Sequence, residues 1–187
     1  MTVALALVGA ACSHEKASDN VLDVPTTATS ASTSTTAPPT SSTSAFVGAT
    51  TPTSIASHAS HTALLTNVRV TSDEVDFVFR SDVPGVDVTY VDPPITQDGS
   101  GKTIAVKGSA FLRVRMEPAS GVDMNSGSAN PEQTYKGPDR LPGAGPIAEV
   151  VRTGDFEANL TWVVGLDARR AYRVDAGASM IRVYFSR

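Results

Sequence analysis

The chain has 187 residues, with 15 basic against 19 acidic side chains and a formal net charge of −4. Of these, 14 and 16 fall after Ala63 and are interspersed, so there is no basic stripe of the kind that gives nucleic-acid binders their affinity. The single cysteine, Cys12, excludes an internal disulfide. The three histidines, His14, His58 and His61, precede the globular sequence and so deny it Cys–His or Ser–His catalysis and His- or Cys-ligated zinc.

Thr2–Ala11 is a short apolar run ending in small residues before Cys12. It is too short for a spanning helix, which needs about 20 residues, but suits the apolar core of a secretory signal. Small residues, a cysteine and then the polar run SHEKASDN resemble the lipobox of bacterial lipoproteins, in which the cysteine carries a diacylglycerol. Gly9, three before the cysteine, and the lack of Lys or Arg ahead of the run depart from that pattern. The alternative is an ordinary cleaved signal. Residues 1–12 are therefore read as a signal with a lipid-attachment cysteine, on a protein exported to the outer face of the plasma membrane.

Residues 13–62 form the next segment. From Pro25 to Thr62 it is nearly all Ser, Thr, Ala and Pro, without one charged side chain. It cannot bury enough apolar surface to offset its ordering entropy and reads as a disordered tether. A coil of this length spans ~40 Å on average and ~165 Å when extended. Its composition fits an O-glycosylated stalk or a plain spacer equally.

From Ala63 to Arg187 alternation dominates. Val75, Phe77 and Phe79 alternate with polar neighbours. So do Val86, Val88 and Tyr90, then Leu112, Val114 and Met116. Phe156, Ala158, Leu160, Trp162 and Val164 form the longest set, and Ile181, Val183 and Phe185 the last. Such runs mark half-buried antiparallel strands. Pro84-Gly85, Asp98–Gly101, Gly108-Ser109 and Gly154-Asp155 punctuate them, the last as a hairpin turn between Ile147–Thr153 and Phe156–Val164; a short run at Thr103–Lys107 counts as a further strand. The expectation is an all-β domain of about eight to nine strands, a sandwich or barrel, with an antiparallel β-sandwich preferred. Residues 118–146 lack a period and read as a functional flap or an insertion.

Several stretches resemble one family: TNVRV at Thr66–Val70, VPGVDVTYVDPP at Val83–Pro94, DGSG at Asp98–Gly101, and above all RTGDFEANLTWVVGLDARRAYRV at Arg152–Val174. They are similar to the AMIN-like domain of exported lipoproteins from high-GC Gram-positive bacteria. The resemblance implies a non-catalytic module for envelope targeting or peptidoglycan binding.

Trp162 and Tyr90 are candidate sugar platforms, although alternation places Trp162 on a core face. Asp92, Asp98 and Asp155 sit in turns, where they serve either a ligand or local hydrogen bonding. Asp167 and Arg169, inside the resembling block, complete the candidate ligand contacts. Arg69, Arg113, Arg115, Arg173 and Arg182 occupy outer strand faces, where a solvated surface is the simpler reading. GSGK at Gly99–Lys102 lacks P-loop spacing, and neither metal ligands nor a cofactor motif is evident. Three functions follow: a module binding cell-wall glycan, an accessory module binding an envelope protein, or a carboxylate-dependent wall hydrolase.

Overall fold

The computed structural model describes residues 46–127 and 129–187. The signal-like run, Cys12 and the tether as far as residue 45 lie outside the described residues.

Among the described residues the chain forms thirteen strands and no helix. The first five are β1 (Thr53–Ile55), β2 (Ala63–Val70), β3 (Glu74–Phe79), β4 (Gly85–Val91) and β5 (Ala110–Glu117). Four short ones follow: β6 (Ala119–Ser120), β7 (Val122–Asp123), β8 (Glu132–Gln133) and β9 (Arg140–Pro142). The last four are β10 (Ile147–Phe156), β11 (Asn159–Leu166), β12 (Tyr172–Ala176) and β13 (Met180–Phe185). A six-stranded sheet runs β1-β4-β5-β11-β10-β9, a five-stranded sheet runs β12-β13-β3-β2-β6, and β7 and β8 make a separate ribbon. Pairing is antiparallel except between β2 and β6.

The two sheets share one core. Phe77 and Ile181 from the five-stranded sheet and Val114, Leu160 and Trp162 from the six-stranded one are wholly buried in it. The Phe77 and Trp162 rings lie 6.0 Å apart. Each such side chain contributes roughly 1.5–3 kcal/mol through burial, which makes alternation the organising signal of the chain. On the outer face of the five-stranded sheet, Arg69, Asp76, Arg182 and Asp175 occupy one cross-strand row. Arg182 and Asp76 are 3.2 Å apart, and Arg173 pairs with Asp175 at 3.1 Å. These arginines belong to a charge ladder of mixed sign in which Asp76 itself is buried, 5% exposed, so this face is only partly solvated.

Four local expectations are corrected. The chain is ordered well before Ala63: β1 pairs with β4, and Ala49 bridges Tyr172 on β12. Residues 46–57 thus run from the edge of one sheet to the edge of the other. The Tyr172 hydroxyl lies 2.6 Å from Thr51 O and 2.9 Å from Val88 O, tying this strap to the core. Composition alone hid it, because three β-branched or small residues gain order only from a partner strand.

The Thr103–Lys107 run is not a strand; only a bridge joins Thr96 and Thr103. Residues 92–109 instead cross the outer face of β10 and β11, which is why β11 is buried on both sides. Asp98 N donates to Thr153 O and Ser109 N to Leu166 O. The approach is so close that a Cβ on Gly165 would stand 1.8 Å from Lys107 O. Beneath it Glu149, 2% exposed, accepts from the Lys107 amide and from Arg140.

Gly154-Asp155 is not the hairpin turn. Strand β10 continues to Phe156, and the turn is Glu157-Ala158, with φ of 50° and 59°. Two consecutive left-handed residues suit the twist of a two-residue hairpin, but without Gly or Asn they cost ~1–2 kcal/mol each and leave no sequence mark. A bulge between Arg152 and Gly154 also flips the faces. Across the turn Phe156 pairs with Asn159 and shares the outer face with Thr161, so Trp162 remains inward while Phe156, grouped with it by alternation, turns out and is 62% exposed.

Finally, residues 118–146 are not a poorly ordered insertion. They carry β6 to β9 and plant Tyr135, 1% exposed, in the core. Gly121 O accepts from the amides of both Thr134 and Tyr135, and the Thr134 hydroxyl donates to Leu65 O at 2.8 Å.

Candidate functional site

A groove of about 650 Å³ lies at the end of the domain where β2 begins and β3 ends. One wall is the β10–β11 hairpin tip, with Asp155, Phe156 and Glu157. The other is the β6–β7 corner, with Met124 and Asn125. His61, Thr62 and Asp82 close the rim. Phe156 and Met124, 62% and 72% exposed, are apolar surfaces that the core does not use. Carboxylates surround them, so the groove offers an apolar platform inside an acidic, hydrogen-bonding frame.

The frame is built locally. The Asp155 carboxylate accepts from Ser120 Oγ at 2.8 Å, from the Gly121 amide at 2.9 Å and from Arg152 at 3.4 Å. It thereby pins the β6–β7 corner to the hairpin. Asp123 accepts the Asn125 amide at 2.9 Å, which shapes the turn carrying Met124. Arg80 reaches Asp123 and Glu132 at 3.5 and 3.3 Å, joining the ribbon to the end of β3. Exposed pairs of this kind contribute little, so the backbone bonds at Gly121 hold the corner.

His61 lies on the groove rim rather than outside the folded part. Among the described residues it makes no hydrogen bond to Ser81, Ser120 or a carboxylate. No group of three His, Cys, Asp or Glu side chains that could hold a metal occurs among the described residues.

The residues singled out by sequence do not gather in one place. Asp155 stands in the groove wall. Tyr90, Asp167 and Arg169 gather at the opposite end of the strands, around the β11–β12 connection. There the Tyr90 hydroxyl donates to Arg170 O at 2.7 Å and accepts the Arg170 amide at 2.9 Å. Arg169 stacks over the Tyr90 ring at 4.4 Å and donates to Thr50 O at 3.3 Å. Burial pushes the Tyr90 phenol above its ordinary pKa, against the Arg170 amide and the nearby guanidinium of Arg169. Asp167 is held below the usual carboxylate range by its two-point bond to Arg170, at 2.8 and 2.7 Å. Tyr90 and Arg169 thus anchor the strap, while Asp167 braces the connection. Asp92 is exposed just past β4, and Asp98 lies on the outer face of β10.

Trp162 is wholly buried, and its reading as a sugar platform is corrected: bonded β-neighbours on both sides and the Phe77 and Tyr135 rings leave it no free face. Phe156 is the exposed aromatic in the groove instead. Sequence reasoning missed it because the Glu157-Ala158 turn that pairs it with outward Asn159 has no Gly or Asn to mark it.

A search of curated proteins and a search of solved structures return no match. The AMIN-like domain family matches residues 63–184, spanning nearly all of the paired strands from β2 onward. That family is associated with envelope targeting and peptidoglycan binding, and its domains bind and target rather than catalyse. With most of its length inside that match, this chain belongs to the AMIN-like domain family.

Proposed function

We propose that the protein is a non-catalytic envelope lipoprotein, held by a lipid on Cys12, whose β-sandwich binds cell-wall glycan in the groove beside Phe156. The carrying observation is Phe156 itself: a left-handed two-residue turn sets a large aromatic 62% into solvent, in the same groove as Met124 and within a carboxylate frame. Sugar rings present C–H faces that lie on an aromatic surface and hydroxyls that donate to carboxylates, so such a groove suits an uncharged glycan stretch. Asp82, Asp123, Asp155 and Glu157 line it with His61, and this acidic lining disfavours anionic wall polymer.

Co-sedimentation with purified peptidoglycan tests the reading. The wild type should sediment equally with wall stripped or unstripped of anionic polymer, Phe156→Ala should remain in solution, and no sugar should be released. Sedimentation of Phe156→Ala like the wild type would remove the groove from wall binding. No sedimentation of either would turn the reading towards an envelope-protein partner. For the anchor, Cys12→Ala should abolish detergent-phase partitioning of the full chain, and an unmodified, soluble wild type would contradict it.

A further inference from the structure

A second cleft, of about 370 Å³, lies on the outer face of the six-stranded sheet, separated from the groove by Phe156 and Glu157. Its floor includes Thr161, 2% exposed, whose Oγ1 has no hydrogen-bond partner among the described residues. Buried hydroxyls without partners are uncommon, and each calls for an explanation. Arg115 sits directly across from Thr161 on β5, and Arg113 two positions along. Arg115 is already committed to Asn159 at 2.9 Å and to Glu117 at 2.7 Å. Arg113 has neither ion pair nor side-chain hydrogen bond among the described residues.

Asp98 comes from the segment that crosses β10 and lines the same cleft. Its backbone is fixed by the bond from its amide to Thr153 O, 2.9 Å, and its side chain rests on Gly154. A Cβ at Gly154 would stand 2.2 Å from Asp98 Oδ2, so only glycine lets this carboxylate lie against the strand. The carboxylates of Asp98 and Glu157 likewise have no ion-pair partner among the described residues. One cleft therefore holds an uncommitted guanidinium, two uncommitted carboxylates and an unsatisfied buried hydroxyl, beside an exposed aromatic ring.

We propose that this cleft binds an amino-acid unit bearing a free carboxylate and free ammonium groups. The carboxylate meets Arg113, ammonium groups meet Asp98 and Glu157, and the carbon chain lies on Phe156. Two acids against one free base favour a basic amino acid over a simple zwitterion. The cleft volume lies at the lower end of the range typical of small-molecule sites.

Free lysine is the probe. Titrated into the ¹⁵N-labelled full chain, it should shift the amide resonances of Asp98, Arg113 and Thr161 with a Kd on the order of 1 mM. Lysinamide, lacking the carboxylate, and diacetyl-lysine, lacking both ammonium groups, should each bind about tenfold more weakly or not at all. Arg113→Gln and Asp98→Asn should each weaken lysine by about tenfold while unfolding at the wild-type temperature. Equal binding of diacetyl-lysine, unchanged affinity in Arg113→Gln, shifts confined to other surfaces, or no shift would each overturn the proposal. Arg113 is not a groove residue, so the glycan reading stands or falls separately.

Discussion

Tyr135 stands edge-on to Trp162, with ring centroids 5.6 Å apart and planes at 89°. This contact fastens the aperiodic 118–146 segment to the centre of the core, and Arg152 covers the Tyr135 ring at 5.6 Å from its centroid. Trp162→Ala should cost ~3–5 kcal/mol, and Tyr135→Ala a similar amount, because each empties a site closed on all sides. Urea unfolding measures both. A Tyr135→Ala protein as stable as wild type would show that the segment packs on the domain without stabilising it.

The strap makes a second prediction. A chain starting at Ala63 loses the β1–β4 pairing, the Ala49–Tyr172 bridge and the Tyr172–Thr51 and Arg169–Thr50 bonds. It should unfold at a clearly lower temperature than one starting at residue 46, by ~1–3 kcal/mol of stability. Equal melting temperatures would return residues 46–62 to the tether.

These two features show where sequence legibility ends. The runs 75–79, 86–90, 112–116 and 181–185 were readable because every second side chain is apolar and one face is buried. Phe156 is misassigned by alternation because the chain turns at Glu157-Ala158, which pairs it with outward-facing Asn159, and period-2 reasoning carried through that turn puts it on the wrong face. The strap and Tyr135 owe their order to distant partners, Val88, Tyr172 and Trp162, rather than to local pattern. Of the candidate contacts, only Asp155 reached the groove. The turn aspartates were chosen for residue type, while Phe156 and Met124 matter for exposure, which only folding decides.

Glu149 predicts a pH dependence. Burial alone would raise its carboxyl, but the Arg140 bond at 2.5 Å and the Lys107 amide outweigh that and hold it below the usual 4.5. With the folded value depressed, its stabilisation is complete above the ordinary glutamate range and is lost as pH falls through the folded value. Glu149→Gln should therefore cost ~1–3 kcal/mol at pH 7 and lose less stability than wild type on acidification below about pH 4.5. Denaturant midpoints from pH 7 to 3 would decide, and parallel curves for the two proteins would contradict the assignment.

Phe156→Ala should change stability by less than ~0.5 kcal/mol, since the ring is largely in solvent. Thermal unfolding checks this. A substantial loss would mean that the hairpin tip serves the fold rather than a ligand.

The most direct test of the central claim maps binding on the protein itself. Soluble peptidoglycan fragments titrated into the ¹⁵N-labelled chain should shift the amides of Ser120–Asn125 and Asp155–Ala158 together, with a Kd on the order of 10 μM to 1 mM. Shifts centred on Tyr90 and Arg169, or none at all, would contradict a glycan-binding groove beside Phe156.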